Sequence, residues 1–362
     1  MTEKDVTKDY IFLASIGSGS FGKVHKVQSR TNSLTYACKE IDYTKMQDKE
    51  KKLLVHEVNT LKELNNQNIV RYVDRYVDKA KQKIFIIMEY CENGDLARYI
   101  KRHKSERKYI SEDKIWSVLV QLCNALKYCH VDICQTAYKQ KVIHRDIKPG
   151  NVFLAKDGSI KLGDFGLCRS LNEDSQAATN VGTPLYMPPE ILGKQQYSEK
   201  ADIWSLGCVV YELAALQPPF AASNMDSLKV KVRQGARPPL PSCYSQEMRK
   251  IIDMMLENSQ TKRSSVIDLL KYPKIIEMQQ RMQQLGMPGG LNAPAAAPTA
   301  PINVEKQLQE VEQVLMGVNP SPQEVKKDEQ SKEEYLAIWE ARLIAKEEEL
   351  NEREEKLKTN GY

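Results

Sequence analysis

The sequence predicts an α+β protein of two lobes, with strands dominating the first lobe and helices the second. One helical pattern occupies residues 46–64 of the first lobe, where apolar residues recur every three or four positions. Because helical spacing takes over after Gly94, we expect the second lobe to begin there. The first lobe also contains five short runs with a β-like pattern, at residues 10–16, 23–29, 34–41, 71–77 and 84–89.

Two helices and a hairpin are predicted in the second lobe. Residues 203–216 are apolar nearly all round, which predicts a buried helix. Residues 152–154 and 160–162 have the pattern of two short strands joined at the turn Asp157-Gly158. A further amphipathic helix is predicted from one apolar face, formed by Ile115, Leu119, Leu122, Ala125, Leu126 and Cys129.

The chain divides by composition into three parts. We expect a globular domain over residues 8–277, a linker over 278–302 and a charged helical tail over 303–362. The linker assignment rests on residues 286–301, which are rich in Gly, Pro and Ala and carry no charge.

The tail carries a partial heptad pattern over residues 331–358. A full coiled coil has two apolar seam positions per heptad, and here the second position holds Trp339 and then charged residues. The segment therefore fits either a coiled coil, with a second copy of the chain or another partner, or a single solvated helix. The clean seam position is formed by Leu336, Leu343, Leu350 and Leu357.

The composition excludes several classes of protein. With 41% hydrophobic and 28% charged residues among 362, the chain is neither fibrous nor wholly disordered. No run of about 18 apolar residues is present and residues 1–5 lack the apolar core of a signal peptide, so we expect no membrane partner. The eight cysteines are scattered without a Cys-x-x-Cys pair. This favours an intracellular chain with free thiols, without a disulfide framework or zinc site.

The net charge of +5 is unevenly distributed. Residues 303–362 contain 9 Lys/Arg and 15 Asp/Glu, a balance of −6, so 44 basic and 33 acidic residues, or +11, remain in the body. A basic body with an acidic tail also occurs in nucleic-acid-binding proteins. Because the basic residues are dispersed and no basic helix interleaved with aromatics is evident, we interpret them as a solvated surface and expect no nucleic-acid partner.

The first motif with chemical meaning is a Gly-x-Gly-x-x-Gly pattern. It also occurs in dinucleotide-binding folds, but there a helix follows, whereas residues 23–29 have a strand pattern. An ordinary hairpin without a ligand is an alternative. We favour a flap over phosphates, because glycine lets the backbone approach phosphate oxygens without a Cβ in the way. The candidate residues are Ile16, Gly17, Ser18, Gly19, Ser20, Phe21, Gly22, Lys23 and Val24.

Lys39 ends the third β-like run and is the next candidate. A lysine is usually exposed, and in that case it would have no function. Glu57, however, lies on the apolar face of the 46–64 helix, where a carboxylate needs a buried cation. Because a strand and the helix that follows it usually pack together, we expect Lys39 and Glu57 to form an ion pair.

Two further motifs bring oxygen ligands together. Residues 144–151 are His-Arg-Asp-Ile-Lys-Pro-Gly-Asn, and Asp-Phe-Gly begins at Asp164. The predicted hairpin between them places Asn151 beside Asp164, and two hard oxygen ligands beside a phosphate cradle predict a magnesium site. Asp146, in the preceding loop, can accept a hydrogen bond from a hydroxyl group. Each acid alone fits a solvated loop residue equally well, so the prediction rests on their joint order and spacing.

In this order the motifs resemble those of the eukaryotic protein kinases over residues 10–275. The family's Ala-Pro-Glu motif is Pro-Pro-Glu here, and its Glu190 is expected to pair with Arg263. Asp202 is expected to brace the loop around Asp146. The finer resemblance is to the NIMA-related (Nek) kinases, and it is carried by residues 68–72, 89–96, 162–167, 181–184 and 350–357. The resemblance implies the bilobal protein kinase fold.

By this resemblance the chain transfers phosphate from ATP, with Mg²⁺, to serine or threonine in protein substrates. Asp146 would orient the substrate hydroxyl and take its proton, Lys148 would neutralise the γ-phosphate, and Thr183 would bridge these two residues. Lys39, held by Glu57, would bind the α- and β-phosphates. The Asp-x-Lys-Pro pattern resembles that of serine/threonine kinases rather than tyrosine kinases. The implied magnesium ligands are Asn151 and Asp164.

The adenine site is also implied by the resemblance. Met88 corresponds to the gatekeeper, and backbone groups of Glu89 and Cys91 would bind the base. For the apolar candidates, ordinary core packing is the alternative, and their positions in the motifs favour the site. The residues that would sandwich the adenine are Ile16, Val24, Ala37 and Phe153.

Regulation by phosphorylation is a further expectation. The guanidinium of Arg145 needs an anion to offset its desolvation, and a phosphate on the loop that follows Phe165 would supply one. Thr179 matches the family's activation threonine, and Ser175 is the alternative. Tyr72 matches a tyrosine that inhibits some Nek kinases by folding into the site, although an ordinary strand tyrosine fits its position as well.

Other functions compete with this interpretation. A pseudokinase scaffold acting through the tail would lack one or more of four residues that are all present, Lys39, Asp146, Asn151 and Asp164. A kinase of small molecules would not need the peptide-docking segment that residues 183–190 resemble. The family implies a cytoplasmic location, at the cytoskeleton, centrosome or basal body, or a nuclear one, with roles in cell division, microtubules or cilia.

Overall fold

The computed structural model describes residues 5–19, 22–136, 141–165, 185–193, 195–196 and 198–287, without the side chains of Leu53, His56 and Glu57. The predicted tail at 303–362 lies outside the described residues, so the coiled coil remains a prediction.

The first lobe is an antiparallel sheet of five strands with the neighbour order β1-β2-β3-β5-β4. All five predicted strands and the predicted helix are confirmed, with ends that differ by up to three residues. A short N-terminal helix, α1, was not predicted. The elements are α1 Val6–Asp9, β1 Tyr10–Gly19, β2 Gly22–Ser29, β3 Thr35–Asp42, α2 Asp48–Glu63, β4 Tyr72–Asp78 and β5 Lys83–Glu89.

One face of this sheet is covered by the N-terminal segment. Asp5 caps α1 by accepting a hydrogen bond from the backbone N–H of Thr7 at 2.9 Å. Val6 is thereby held in a buried cluster with Val27, Cys38 and Ile87 of three different strands. Neighbouring residues of a strand point to opposite faces, so Ile87 lies on the other face of the sheet from Ile84 and Ile86. The N-terminal helix covers the face that carries Ile87.

The second lobe is helical, as predicted, and contains a two-stranded hairpin. Short 3₁₀ turns lie at Asp132–Gln135 and Pro149–Asn151. The elements are α3 Leu96–Ser105, α4 Glu112–His130, β6 Val152–Leu154, β7 Ile160–Leu162, α5 Pro189–Leu192, α6 Glu199–Ala215, α7 Met225–Gln234, α8 Gln246–Met255, α9 Val266–Leu270 and α10 Pro273–Gln284.

The core of the second lobe centres on α6, which packs against α4 and α8. Ile203, Trp204 and Leu206 are fully buried, and this confirms the prediction of a buried helix at residues 203–216. The last helix, α10, extends beyond the domain end predicted at residue 277, because Met278 and Met282 are buried and the helix packs on α4. The first residues of the predicted linker therefore belong to this helix.

The segment between α2 and β4 belongs to the first lobe and forms hydrogen bonds with the second lobe. Ile69 forms a parallel bridge with Leu162 of β7. The amide of Asn68, fully buried, donates hydrogen bonds to the Gln121 side chain at 3.1 Å and to the Ile160 carbonyl at 2.9 Å. These contacts hold the edge of the first lobe against the hairpin that carries the predicted magnesium ligands.

None of the helices in the described part of the chain is long and apolar enough to span a membrane.

Candidate active site

A cavity of about 770 Å³ lies between the sheet of the first lobe and the hairpin of the second. Its wall contains most of the residues that the sequence nominated, drawn from the glycine-rich loop, β3, the segment after β5 and the hairpin. They are Ile16, Gly17, Ser18, Gly22, Val24, Ala37, Lys39, Met88, Glu89, Cys91, Asn151, Phe153 and Asp164.

Two predicted loop residues are not part of this wall. Lys23 is exposed and lines a smaller cavity of about 540 Å³ elsewhere on the sheet, because neighbouring strand residues point to opposite faces and Val24 occupies the inner one. The Lys23 side chain therefore does not line the main cavity, and the role of Lys23 in binding the nucleotide remains a prediction. Gly19 pairs with Gly22 where β1 and β2 meet.

Several predicted residues lie outside the described residues. They are Ser20 and Phe21 of the glycine-rich loop, Thr183 and the candidate phosphorylation sites Ser175 and Thr179. The side chain of Glu57 is not described either, so its ion pair with Lys39 remains a prediction.

Lys39 and Asp164 meet inside the cavity. The Lys39 ammonium forms a hydrogen-bonded ion pair with Asp164 Oδ1, and the Lys39 side chain is 13% exposed. Burial raises the pKa of Asp164, but the charge and hydrogen bond of Lys39 outweigh burial and lower that pKa below its ordinary value. The carboxylate is therefore ionised, as a metal ligand must be.

The backbone at Asp164 has a left-handed conformation, with φ of 57°. Non-glycine residues adopt this conformation rarely, and it is often found at functional sites. The next residue, Phe165, is buried with its ring 4.5 Å from that of His144. Asp164 and Phe165 thus point into different environments, a charged cavity and an apolar core.

Asp146 is the centre of a second polar group in the catalytic loop. Its Oδ2 accepts hydrogen bonds from Lys148 Nζ at 2.7 Å and from Asn151 Nδ2 at 2.9 Å. Asn151 Nδ2 also donates to the Asp146 carbonyl at 2.8 Å. Both amide hydrogens of Asn151 are engaged in this way, which leaves its carbonyl oxygen Oδ1 as the atom suited to a cation.

The loop that carries Asp146 is braced from α6, as predicted. Asp202 is fully buried, and its two oxygens accept hydrogen bonds at 2.9 Å from the backbone N–H groups of His144 and Arg145. The ring of His130 is 2.9 Å from Asp202 Oδ2. Arg145 has a left-handed backbone, with φ of 68°, and these bonds hold that strained residue in place.

His144 links the loop to the hairpin. One ring nitrogen, Nδ1, accepts the backbone N–H of Asp146 at 3.3 Å, so the other, Nε2, must donate to the Gly163 carbonyl at 3.0 Å. Burial lowers the pKa of His144 below its ordinary value, which agrees with this neutral tautomer. The same ring thus orients Asp146 on one side and the residue before Asp164 on the other.

The end of β5 and the residues after it determine which backbone groups face the cavity. The N–H of Glu89 donates to the Arg71 carbonyl at 2.9 Å, and its carboxylate pairs with Lys161 of β7 at 2.9 Å. The Glu89 side chain is therefore held by the second lobe, and its N–H group is already used. Of the two residues predicted to bind a base, Cys91 is the one left to supply the N–H group.

Sequence reasoning missed part of the cavity wall. Val70 lies in a segment that had been used for the resemblance to Nek kinases but not for the site. Five others lie in residues 89–96, a second segment that carries this resemblance. Of the rest, Ser15 precedes the glycine-rich motif, Arg98 follows on α3, and Gly150 lies inside the 144–151 motif but has no side chain to nominate. The missed residues are Ser15, Val70, Tyr90, Glu92, Asn93, Gly94, Asp95, Arg98 and Gly150.

Tyr72 does not line the cavity in this structure. It pairs with Met88 between β4 and β5, and burial raises the pKa of its hydroxyl. Of the two interpretations of this residue, the strand tyrosine describes the observed position.

Glu190 and Arg263 form the predicted ion pair, in the bidentate geometry. The Arg263 nitrogens lie 2.7 and 2.9 Å from the two Glu190 oxygens, and both side chains are buried. The guanidinium also donates to the Glu257 and Lys200 carbonyls at 2.8 Å and lies over the Trp204 ring. The pair therefore anchors α5 to the core of the second lobe.

The residues present in the cavity fit Mg²⁺ bound with a nucleotide triphosphate. Mg²⁺ is usually held by one or two carboxylate or amide oxygens together with substrate phosphates, and Asp164 and Asn151 Oδ1 supply such oxygens. Lys39 brings a cation to the same cavity for the phosphates. The apolar side chains of Val24 and Ala37 line the part suited to a base.

Comparison with known proteins agrees with this geometry. A protein kinase domain model matches residues 10–275. A probable serine/threonine-protein kinase nek2 of Dictyostelium discoideum is 46% identical over 263 residues, which cover 73% of this chain and 62% of that protein. The serine/threonine-protein kinase Nek2 of Homo sapiens is 42% identical over 315 residues, 84% of this chain and 69% of the relative.

A third relative, the G2-specific protein kinase nimA of Emericella nidulans, is 36% identical over 338 residues, 88% of this chain and 48% of its own length. The chain thus spans between about half and 69% of the length of these three relatives. The matched kinase domain, together with these identities, shows that the chain belongs to the NIMA-related (Nek) family of serine/threonine protein kinases.

Proposed function

We propose that this chain transfers the γ-phosphate of ATP, with Mg²⁺, to serine or threonine hydroxyls of protein substrates. The observation that carries the proposal is the convergence of Lys39, Asp146, Asn151 and Asp164, which are far apart in the sequence, around one cleft between the lobes. Family membership supports the class of substrate. No observation supports the alternative of a pseudokinase scaffold that acts through the tail.

Phosphoryl transfer depends mainly on positioning and on stabilisation of charge. When bound, Mg²⁺ would neutralise part of the phosphate charge. Asp164 and Asn151 would hold the Mg²⁺ ion. Lys39 would exchange part of its contact with Asp164 for the phosphate oxygens. Since the Lys39 side chain is mostly buried, its charge acts on the phosphates with little screening by water.

Asp146 would accept a hydrogen bond from the substrate hydroxyl and then its proton. The neighbouring ammonium of Lys148 donates a hydrogen bond to Asp146 Oδ2 at 2.7 Å, so a positive charge lies beside the proposed base. Asn151 fixes the rotation of Asp146, because it bonds both the side chain and the backbone carbonyl of that residue. Orientation of the base would thus be set before substrate binds.

The adenine ring would lie between apolar residues of both lobes. Val24 and Ala37 come from the first lobe and Phe153 from the second. The Glu89 carbonyl and the Cys91 N–H group would bind its edge. The Glu89–Lys161 ion pair, which crosses between the lobes, would hold this edge in register with the hairpin.

We also propose the regulation and cellular setting that the family implies. A phosphate on Thr179, or on Ser175, would pair with Arg145, and a tail dimer would bring two kinase domains together for mutual phosphorylation. One relative is named a G2-specific kinase, which supports a role in the cell cycle. The proposed locations are the cytoplasm, cytoskeleton, centrosome, basal body or nucleus.

The proposal predicts that Asp146→Asn lowers kcat by about 100-fold or more, since general-base assistance contributes at least that much. The measurement is transfer of labelled phosphate from ATP to a library of serine, threonine and tyrosine peptides. Asp226→Asn is the matched control, because the Asp226 side chain is 96% exposed and lies on α7. Equal activity of the Asp146→Asn and control proteins, or exclusive labelling of tyrosine, would contradict the proposal.

A further inference from the structure

Helix α3 and the turn after it carry a concentration of positive charge outside the proposed catalytic residues. Residues 98–108 contain six Lys/Arg and one acid, Glu106. The basic residues are therefore not all dispersed, contrary to the expectation from the sequence, but cluster in this stretch. All six basic residues are exposed, namely Arg98, Lys101, Arg102, Lys104, Arg107 and Lys108, and we call them the α3 basic surface.

The orientation of this surface is fixed by the other face of the helix. Leu96 and Ile100 are buried in the second lobe, and Asp95 caps the helix by accepting the N–H of Arg98 at 2.8 Å. Within the described part of the chain, the one close ion pair of the α3 basic surface joins Arg98 and Asp95 at 3.6 Å, and it lies at the solvent-exposed rim. Lys104 also interacts electrostatically with Glu212 of α6. The other four basic residues form no ion pair with any residue that the structure describes.

The α3 basic surface lies beside the site of phosphate transfer. Helix α3 packs on the 3₁₀ turn Pro149–Asn151, which directly follows Lys148. Arg98, on the first turn of α3, lines the same cavity as Gly150 and Asn151. A polypeptide that presents a hydroxyl to Asp146 therefore has the α3 basic surface within reach of its flanking residues.

We propose that the α3 basic surface docks acidic stretches of the protein substrates, and so selects substrates whose phosphorylated residue is accompanied by clustered Glu or Asp. This inference rests on the proposed function. Clustered like charges repel one another, and a complementary acidic peptide relieves that repulsion and speeds encounter. The ten residues of α3 span about 15 Å, a length matched by roughly four or five residues of an extended peptide.

A protein partner fits this surface better than a single-stranded nucleic acid. Single strands are bound by aromatic rings on which bases stack. The aromatic ring available on α3 belongs to Tyr99, and it is occupied on its own helix, by the Arg102 guanidinium 5.3 Å away and by the His103 ring at 4.7 Å. Next to Lys108, the Tyr109 side chain is 52% exposed, and its ring meets that of Tyr244 edge-on at 6.3 Å. The described residues of the α3 basic surface thus offer no run of rings for successive bases, which favours an acidic peptide.

The experiment compares two peptide substrates of the full-length chain. Each has the same serine and the same adjacent residues, but one is flanked by glutamates and the other by glutamines. The wild-type chain should phosphorylate the glutamate peptide with the lower KM, and added salt should raise that KM selectively. In the variant Lys101→Gln/Lys104→Gln/Lys108→Gln, kcat/KM for the glutamate peptide should fall about five- to tenfold, while that for the glutamine peptide is unchanged.

The matched control removes three charges from other elements of the same lobe, as Lys250→Gln/Lys262→Gln/Lys271→Gln, all at exposed positions and none lining the cavity. It should behave as wild type. If the two triple variants respond alike, or if wild type uses both peptides equally, this inference is wrong and the proposed function stands.

Two further outcomes would also overturn the inference. If neither peptide is phosphorylated, the proposed function fails and the inference fails with it. If a single-stranded RNA binds through the three lysines while the kinetics of the glutamate peptide are unaffected by their substitution, the partner of the α3 basic surface is a nucleic acid rather than an acidic peptide.

Discussion

His144 shows how one side chain can align two separate functional residues. Its ring accepts from the N–H of Asp146 and donates to the carbonyl of Gly163, the residue before Asp164. A protonated ring has no acceptor nitrogen, so the contact with Asp146 requires the neutral form. The alignment of the proposed base and the proposed metal ligand is therefore coupled to the protonation state of His144.

This coupling predicts a pH dependence of stability. The pKa of His144 in the folded protein lies below its ordinary value of 6.5, so the unfolded chain takes up the proton first as the pH falls. Stability is then complete above about pH 6.5 and decreases below it, by at most about 1.4 kcal/mol per pH unit. Urea unfolding of wild type and His144→Gln between pH 7.5 and 5.5 measures this contribution.

The difference in unfolding free energy between the two proteins should narrow as the pH falls, because the variant lacks the titrating group. A difference that stays constant across this range would contradict the assignment of a buried neutral ring to His144.

Individual side chains were predictable from the sequence to the extent that they lie in short motifs. Asp146 and Asn151 are five residues apart in one loop, and their contact follows from local geometry. The contact of Lys39 with Asp164 spans 125 residues and depends on how the lobes meet, which no local pattern specifies. The sequence identified both residues as members of the site but assigned Lys39 to Glu57, whose side chain is not described.

At the scale of elements, the hairpin β1–β2 shows why the glycine-rich loop requires glycine at position 22 more than at position 17. A Cβ atom built on Gly22 would lie 1.7 Å from the backbone carbonyl oxygen of Glu40 in β3. A Cβ on Gly17 would meet Val24 at 3.7 Å, an ordinary contact. The close approach of β2 to β3, where the cavity begins, therefore depends on Gly22.

We predict that Gly22→Ala destabilises the protein by about 1–3 kcal/mol, as overpacking of a close contact does, because the backbone of β2 must move away from β3. Gly17→Ala, in the same loop, is the matched control and should unfold close to wild type. Thermal unfolding without nucleotide measures both. Similar melting temperatures for the two variants would show that β2 is not held as closely to β3 as the structure indicates.

Element boundaries were predictable where the pattern of burial is strong. The short strands β6 and β7 and the buried helix α6 agree closely with the sequence, since their apolar runs are bounded by turns or caps. Helix α1 was missed because four residues carry no periodicity, although Asp5 is a typical N-cap. The charge of α3 was missed although six basic residues within 98–108 are visible in the sequence, because no motif or periodicity marks them as a functional surface.

At the scale of the whole molecule, function depends on two lobes that meet around one cavity. The lobes are joined by the bridge of Ile69 with Leu162, by the buried amide of Asn68 and by the Glu89–Lys161 ion pair. These contacts place the cation of Lys39, from the first lobe, against the carboxylate of Asp164, from the second. We propose that this junction holds one magnesium-bound nucleotide triphosphate.

Calorimetric titration of the full-length chain with ATP, with and without Mg²⁺, tests that claim most directly. Wild type should bind ATP more tightly when Mg²⁺ is present, and Asp164→Ala should lose this enhancement while remaining folded, which its thermal unfolding without nucleotide checks. Asp226→Ala, on the exposed surface of α7, should retain it. An equal Mg²⁺ enhancement in Asp164→Ala and wild type would contradict the claim that Asp164 holds the metal with the nucleotide.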